Sequence, residues 1–234
     1  MFIKICGIKT PEELRIVENY GNATGVILEC SSKRRIGLET AKNLVDLSNI
    51  PVFAVSTTSE VSVWENIIEL TGTNYLQMHS DIDQKAIDFI KNEYGCFIMK
   101  SFKIPETSKS PEIDAEKIIS DIESYEVDRI LVDTGKGCGQ THDHRISQII
   151  AKKFDIVLAG GLDPGNVLNI VKNVKPFGVD VSSGVENNNS KDEELIKRFC
   201  ENVKLGENYE MWRILWRIRW AVYPWSFDAC NWRA

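Results

Sequence analysis

DRILVD (residues 128–133) and DIVLAG (155–160) decide the fold, because each is apolar at nearly every interior position instead of alternating. A strand with one wet face alternates; one buried on both faces reads as a continuous apolar run, the habit of parallel sheets covered by helices. Working outward, the same kind of run recurs at FIKIC (2–6), TGVILE (24–29), PVFAVS (51–56), NYLQMH (74–79), CFIMKSF (96–102) and FGVDVSS (177–183). Each is followed by a segment of helical length and amphipathic spacing: 11–20, 38–47, 61–70, 84–92, 111–124, 144–153, 164–174 and 192–204. Eight strand–helix units in residues 1–206 leave about 26 residues per unit, enough for a strand and its crossover helix and little else. An open doubly wound sheet usually carries a glycine-rich fingerprint after its first strand, whereas here the strand runs into CGIKTPEE with one glycine. The expectation is an α/β chain folded as a single-domain (β/α)8 TIM barrel over residues 1–206.

Composition narrows the function. Lys and Arg total 28 against 34 Asp and Glu, a net charge of −6, so no broad basic surface is available for a nucleic-acid backbone. The first residues meet charge at Lys4 and proline at Pro11, and no apolar run reaches membrane-spanning length. No membrane association and a cytoplasmic location are therefore expected. The six cysteines lie far apart with no CxxC pair, which reads as reduced thiols. Cys138, His142 and His144 lack a fourth ligand and the usual pair spacing for zinc, so no metal is expected.

In such a barrel the active site lies at the C-terminal ends of the strands. The polar residues expected there are Cys6, Glu29 or Cys30, Ser56, Gln77 with His79, Lys100, Asp133, Gly160 with Gly161, and Asp180 with Ser182 and Ser183. Gly160-Gly161 and Ser182-Ser183-Gly184 follow strands seven and eight, where backbone N–H groups commonly hold phosphate. Cys6 and Asp133 place a thiol and a carboxyl at one barrel mouth, a pair suited to acid–base work on a sugar. A reactive thiol needs a nearby positive charge, and Lys4, two residues earlier on the same strand face, is the candidate. Taken singly, a Cys after a strand is also ordinary core filler, an Asp there a turn cap, and a Gly-Gly a strand-to-helix turn.

KICGIKTPEE (4–13), SSKRRI (31–36), YLQMHSD (75–81), LVDTGKGCGQTHDH (131–144), LAGGLDPGNV (158–167) and PFGVDVSSGVE (176–186) together, in this order, resemble phosphoribosylanthranilate isomerase. The resemblance covers residues 1–204. It implies an Amadori rearrangement of N-(5-phosphoribosyl)anthranilate to 1-(2-carboxyphenylamino)-1-deoxyribulose 5-phosphate in tryptophan biosynthesis, with no cofactor. It also implies Cys6 as general base, Asp133 as general acid, Arg34 as partner of the anthranilate carboxylate, and a phosphorylated amino-sugar substrate held by Gly160, Gly161, Asp180, Ser182, Ser183 and Gly184. Because Arg34 follows strand two and the phosphate loops follow strands seven and eight, Arg34 is expected to stand apart from them. Readings that keep the phosphate loops but not this substrate are another phosphosugar isomerase or epimerase, or a non-catalytic anion-binding barrel. The sequence leaves the oligomeric state open.

Residues 207–234 change character, with five of the six tryptophans and four arginines. Trp212, Trp216 and Trp220 recur at i+4 beside Arg213 and Arg217, which suits a docking or interfacial helix; read-through from a shifted frame is the alternative. Since eight units end near Lys204, closure of the barrel is expected to need nothing from this tail.

Overall fold

The computed structural model of the chain describes residues 1–134 and 141–208. Eight parallel strands close in sequence order into a barrel: β1 (Phe2–Cys6), β2 (Ala23–Ile27), β3 (Val52–Ser56), β4 (Tyr75–Met78), β5 (Phe97–Lys103), β6 (Arg129–Asp133), β7 (Ile156–Leu158) and β8 (Gly178–Val181). The seam is β1 against β8, with Phe2 opposite Gly178 and Ile5 opposite Val181. Around the barrel run α1 (Pro11–Glu18), α2 (Leu38–Leu47), α3 (Val61–Thr71), α4 (Gln84–Tyr94), α5 (Pro111–Ile122), α6 (His144–Ile150), α7 (Val167–Val174) and α8 (Glu193–Glu207). No helix among the described residues is long and apolar enough to cross a membrane.

The two-residue period of each strand divides its side chains between two cores. Ile3 and Ile5, Leu76 and Met78, and Val179 and Val181 face the helices in the larger core. Cys6, Ala23, Phe53, Val55, Met99, Leu131, Val157 and Ala159 fill the barrel interior. The interior floor is aromatic, with Phe53, Tyr75 and Phe97 ring centroids 5.3 to 6.0 Å apart. Arg129 shares the inward parity of Leu131 at this end, its guanidinium 3.9 Å from the Phe177 ring centroid, and the other charged inward side chains described below lie in the layers toward the mouth.

Two local features depart from the sequence reading. α7 starts at Val167, because Asp163 turns the preceding segment back on itself: its Oδ1 accepts from the backbone N–H of Gly165 (2.6 Å) and of Asn166 (3.0 Å). Between strand eight and its helix the chain also builds a single 3-10 turn (Ser183–Val185) and a small antiparallel hairpin of β9 (Glu186–Asn187) and β10 (Ser190–Lys191). Asn188 and Asn189 close it at φ 51° and 60°, the left-handed backbone that a two-residue hairpin turn requires and that asparagine tolerates. The expectations for Cys138 and for the tryptophan-rich tail fall on residues 135–140 and 209–234 and lie outside the described residues.

Candidate active site

Parity sorts the strand-end residues. Lys4, Cys6, Gln77, Asp133 and Asp180 share the inward parity of their strands and meet at the mouth. Ser56 and Lys100 do not. Ser56 has the outward parity of Val52 and Ala54, donating to the Glu29 carbonyl (3.2 Å) and accepting from the Thr58 N–H (3.1 Å). Lys100 sits in mid-strand because β5 continues to Lys103. Its ammonium faces the helix layer, 4.4 Å from the Tyr125 ring centroid and donating to the Ser80 carbonyl. Glu29 lies on the exposed loop after β2 and pairs with Arg35 at 3.3 Å.

Around Cys6 is a buried polar chain only partly legible in the sequence. Lys4 is fully buried and donates to both Asp180 oxygens, at 3.0 and 3.1 Å. Gln77 Nε2 donates to Asp180 Oδ2 (3.3 Å) and lies 2.8 Å from His79 Nε2. Lys4 and Cys6 stand side by side: a Cβ placed on Gly25 would come within 3.1 Å of both the thiol sulfur and the ammonium nitrogen. A side chain at that position would press on both.

The charges act on Cys6 in opposite directions. Burial pushes the thiol up; Lys4 pulls it down, Asp180 raises it and Lys191 lowers it, and burial prevails. Lys4 therefore acts in the expected sense without overcoming burial in the free protein. Burial likewise pulls the Lys4 ammonium down, but Asp180 and Cys6 outweigh it, so Lys4 stays charged. Burial lowers His79 to about 4, leaving its imidazole neutral near pH 7. Asp180 enters the site as the counter-ion of Lys4.

On the opposite side, Asp133 closes β6 at 8% exposure, its Oδ1 accepting from the Thr134 N–H at 2.8 Å. A Cβ on Gly160 would lie 2.7 Å from that oxygen, so the glycine of the β7 loop is what gives the carboxyl its place. Gly160 and Gly161 both have positive φ, 90° and 63°, which other residues rarely adopt. Gly184 is just as constrained, since a Cβ there would fall 1.9 Å from the Leu162 carbonyl oxygen. The two small-residue loops after β7 and β8 therefore touch. Ser182 ties the second to β1 by donating to the Cys6 carbonyl at 3.0 Å, and Ser183 opens the following 3-10 turn.

Arg34 crosses from the β2 loop to the β8 loop. Its Nε and Nη2 donate to Glu186 Oε1 (2.7 Å) and Oε2 (2.8 Å), and its side chain packs over Gly7. The expected separation between Arg34 and the small-residue loops is thus corrected: a long side chain spans the seam between neighbouring strands β1, β2 and β8. Arg35 points instead to solvent.

His142 and His144 meet edge to face with centroids 4.9 Å apart. His142 Nε2 is 2.6 Å from Ser147 Oγ, and burial holds the ring at about 3. Asp143 between them caps α6, accepting from the Arg145 N–H at 3.1 Å. Among the described residues no group of three potential metal ligands occurs.

Residues 3–202 match the family model described as N-(5'phosphoribosyl)anthranilate (PRA) isomerase. The chain belongs to the phosphoribosylanthranilate isomerase family. An N-(5'-phosphoribosyl)anthranilate isomerase of Methanococcus maripaludis is 93% identical over 211 residues, covering 90% of this chain and all of that protein. The family's structure from Pyrococcus furiosus superposes with a TM-score of 0.83 at 48% identity, covering 87% of this chain and 98% of that one. A phosphoribosyl anthranilate isomerase solved with reduced 1-(o-carboxyphenylamino)-1-deoxyribulose 5-phosphate shares 28% identity and a TM-score of 0.73 over the same fractions. The closed eight-stranded barrel is thus the fold of the family, and the chain is one of its isomerases.

Proposed function

We propose that the mouth built by β1, β2, β6, β7 and β8 converts N-(5-phosphoribosyl)anthranilate to 1-(2-carboxyphenylamino)-1-deoxyribulose 5-phosphate, the tryptophan-biosynthetic rearrangement of its family. The single observation carrying the residue assignment is the set of inward side chains at one mouth, with a thiol backed by a buried lysine and a carboxyl seated against the Gly160 loop. Asp133 donates a proton to the furanose ring oxygen, the bond from that oxygen to C1′ breaks, and a Schiff base forms. Cys6, as thiolate, removes the C2′ proton; the electron pair moves to the nitrogen and leaves an enolamine that tautomerises to the ketone. Lys4 stabilises that thiolate at short range, in a site where burial strengthens the attraction.

The phosphate is assigned to the backbone N–H groups of Gly160, Gly161, Ser182, Ser183 and Gly184, where glycine allows close approach to an anion. The anthranilate carboxylate is assigned to Arg34, whose planar fork suits it. Each step is a proton transfer or the ring opening that one drives, so the reading asks for no metal or organic cofactor, and a cytoplasmic location accords with it. Purified protein given freshly made phosphoribosylanthranilate should deplete its fluorescence. Cys6→Ala and Asp133→Asn should each lower kcat by about 10²–10⁴-fold with little change in KM. Near-full turnover by either folded variant would remove that residue from the acid–base pair.

A further inference from the structure

The Arg34 fork is already engaged by a carboxylate of the protein itself. Glu186 takes Nε–H and one Nη2–H in a bidentate pair at 2.7 and 2.8 Å. A guanidinium has five N–H donors, so the end formed by Nη1 and the second Nη2–H remains, with no partner among the described residues. An isolated Glu186 would also cancel the positive charge that Arg34 needs. Lys191 prevents this: its ammonium, with a side chain 0% exposed, donates to the same Glu186 Oε1 at 2.7 Å and to the Ser182 carbonyl at 3.1 Å. Burial lowers Lys191 against the pull of Glu186; with that ammonium protonated, Arg34, Glu186 and Lys191 form a triad with one net positive charge, its solvent-accessible cation being Arg34 at 18%. The hairpin makes this possible, since its register sets Lys191 directly across from Glu186.

We propose that Glu186 and Lys191 are positioning residues for ring-carboxylate recognition: Glu186 fixes the plane of the Arg34 guanidinium so that its free end faces the mouth, and Lys191 neutralises Glu186 so that Arg34 keeps its charge for the ligand. This rests on the assignment of Arg34 to the anthranilate carboxylate. A guanidinium held in place before binding loses less side-chain freedom when the ligand arrives, and the Arg34 hydrogen bond, with the Lys191 ammonium behind it, keeps Glu186 ionised against the cost of burial.

The test uses two probes, the reduced carboxyphenylamino product analogue and its phenylamino counterpart lacking the ring carboxylate, with affinities measured by calorimetry. The wild-type ratio of the two affinities reports carboxylate recognition. Glu186→Asp keeps the charge but withdraws the fork by one methylene, and should cut that ratio about tenfold, the equivalent of one weakened charge-assisted hydrogen bond. Lys191→Met should cut it similarly by leaving Arg34 quenched. Glu186→Asp should raise KM far more than it lowers kcat, with affinity for the carboxylate-free probe unchanged; Lys191→Met, which also frees the Ser182 carbonyl and removes a charge acting on Cys6, is judged on the ratio alone. In an Arg34→Ala background neither substitution should change the ratio further. An Arg34→Ala protein that keeps the wild-type ratio would overturn the assignment of Arg34 itself. If Arg34→Ala loses the ratio but folded Glu186→Asp and Lys191→Met keep it, or weaken both probes equally, the positioning role is wrong while the Arg34 assignment stands.

Discussion

At the scale of single residues, the site depends on positions where a side chain is forbidden as much as on those that carry chemistry. Gly160 combines φ 90° with a Cβ position 2.7 Å from Asp133 Oδ1. Gly160→Ala should therefore displace the carboxyl, lowering kcat at least tenfold and destabilising the fold by about 1–3 kcal/mol through backbone strain. Turnover and a urea titration of the same variant check both effects. Two desolvated histidines make the second residue-level expectation. His142 and His79 are held by burial at about 3 and about 4, below the ordinary 6.5. Between those values and 6.5 the unfolded chain binds more protons than the folded one, so stability falls as pH falls through that window. From pH 7 to pH 5 each ring should remove about 2 kcal/mol, and His142→Asn should flatten the slope of unfolding free energy against pH by its share. Asp143, at about 2, adds nothing there, since it is ionised in both states across that range. Cys6, Asp133 and the glycine loops were readable because strand ends and small residues are sequence-local signals. Glu186 and Lys191 were not, because they meet Arg34 only in the folded chain, Glu186 lying 152 residues after it.

At the scale of elements, boundaries were legible where a local signal marks them. α2 spans Leu38–Leu47 as the apolar spacing says, and α1 and α5 begin at Pro11 and Pro111, where proline fits the first helical turn. They were illegible where a side chain competes for the backbone, as Asp163 does in delaying α7. Ser56 and Lys100 show a second limit: polarity near a strand end says nothing of parity, since β3 ends at Ser56 as expected with that side chain on the helix side, and β5 runs three residues past Lys100. The hairpin of β9 and β10 falls between the strand and helix signals of the last unit, where a two-residue strand has no period to detect. Its turn offers a test, because Asn189 holds φ 60°. Asn189→Gly should stabilise the protein by less than about 1 kcal/mol, whereas Asn189→Val should destabilise it, as a β-branched residue resists the left-handed region. Thermal melts of the two variants decide the sign.

For the whole molecule, the ring of strand pairs from β1 round to β8 is complete within residues 2–181, and α8 ends at Glu207. Removing residues 209–234 should accordingly leave kcat/KM unchanged. A truncated protein that folds but does not turn over would make that segment part of the site. The pairing of β1 with β8 has a further consequence, for the protein's synthesis. Lys4 and Asp180 are 176 residues apart, so the lysine leaves the ribosome long before its counter-ion exists. Until β8 emerges, β1 is an edge strand carrying an ammonium destined for a dry interior, the kind of half-made sheet that invites wrong partners. Contacts of such long sequence separation form late and slowly. The pair whose ammonium also acts on the thiol therefore cannot form before β8 has been made, so closure of the barrel and assembly of the charged site both wait for the same strand.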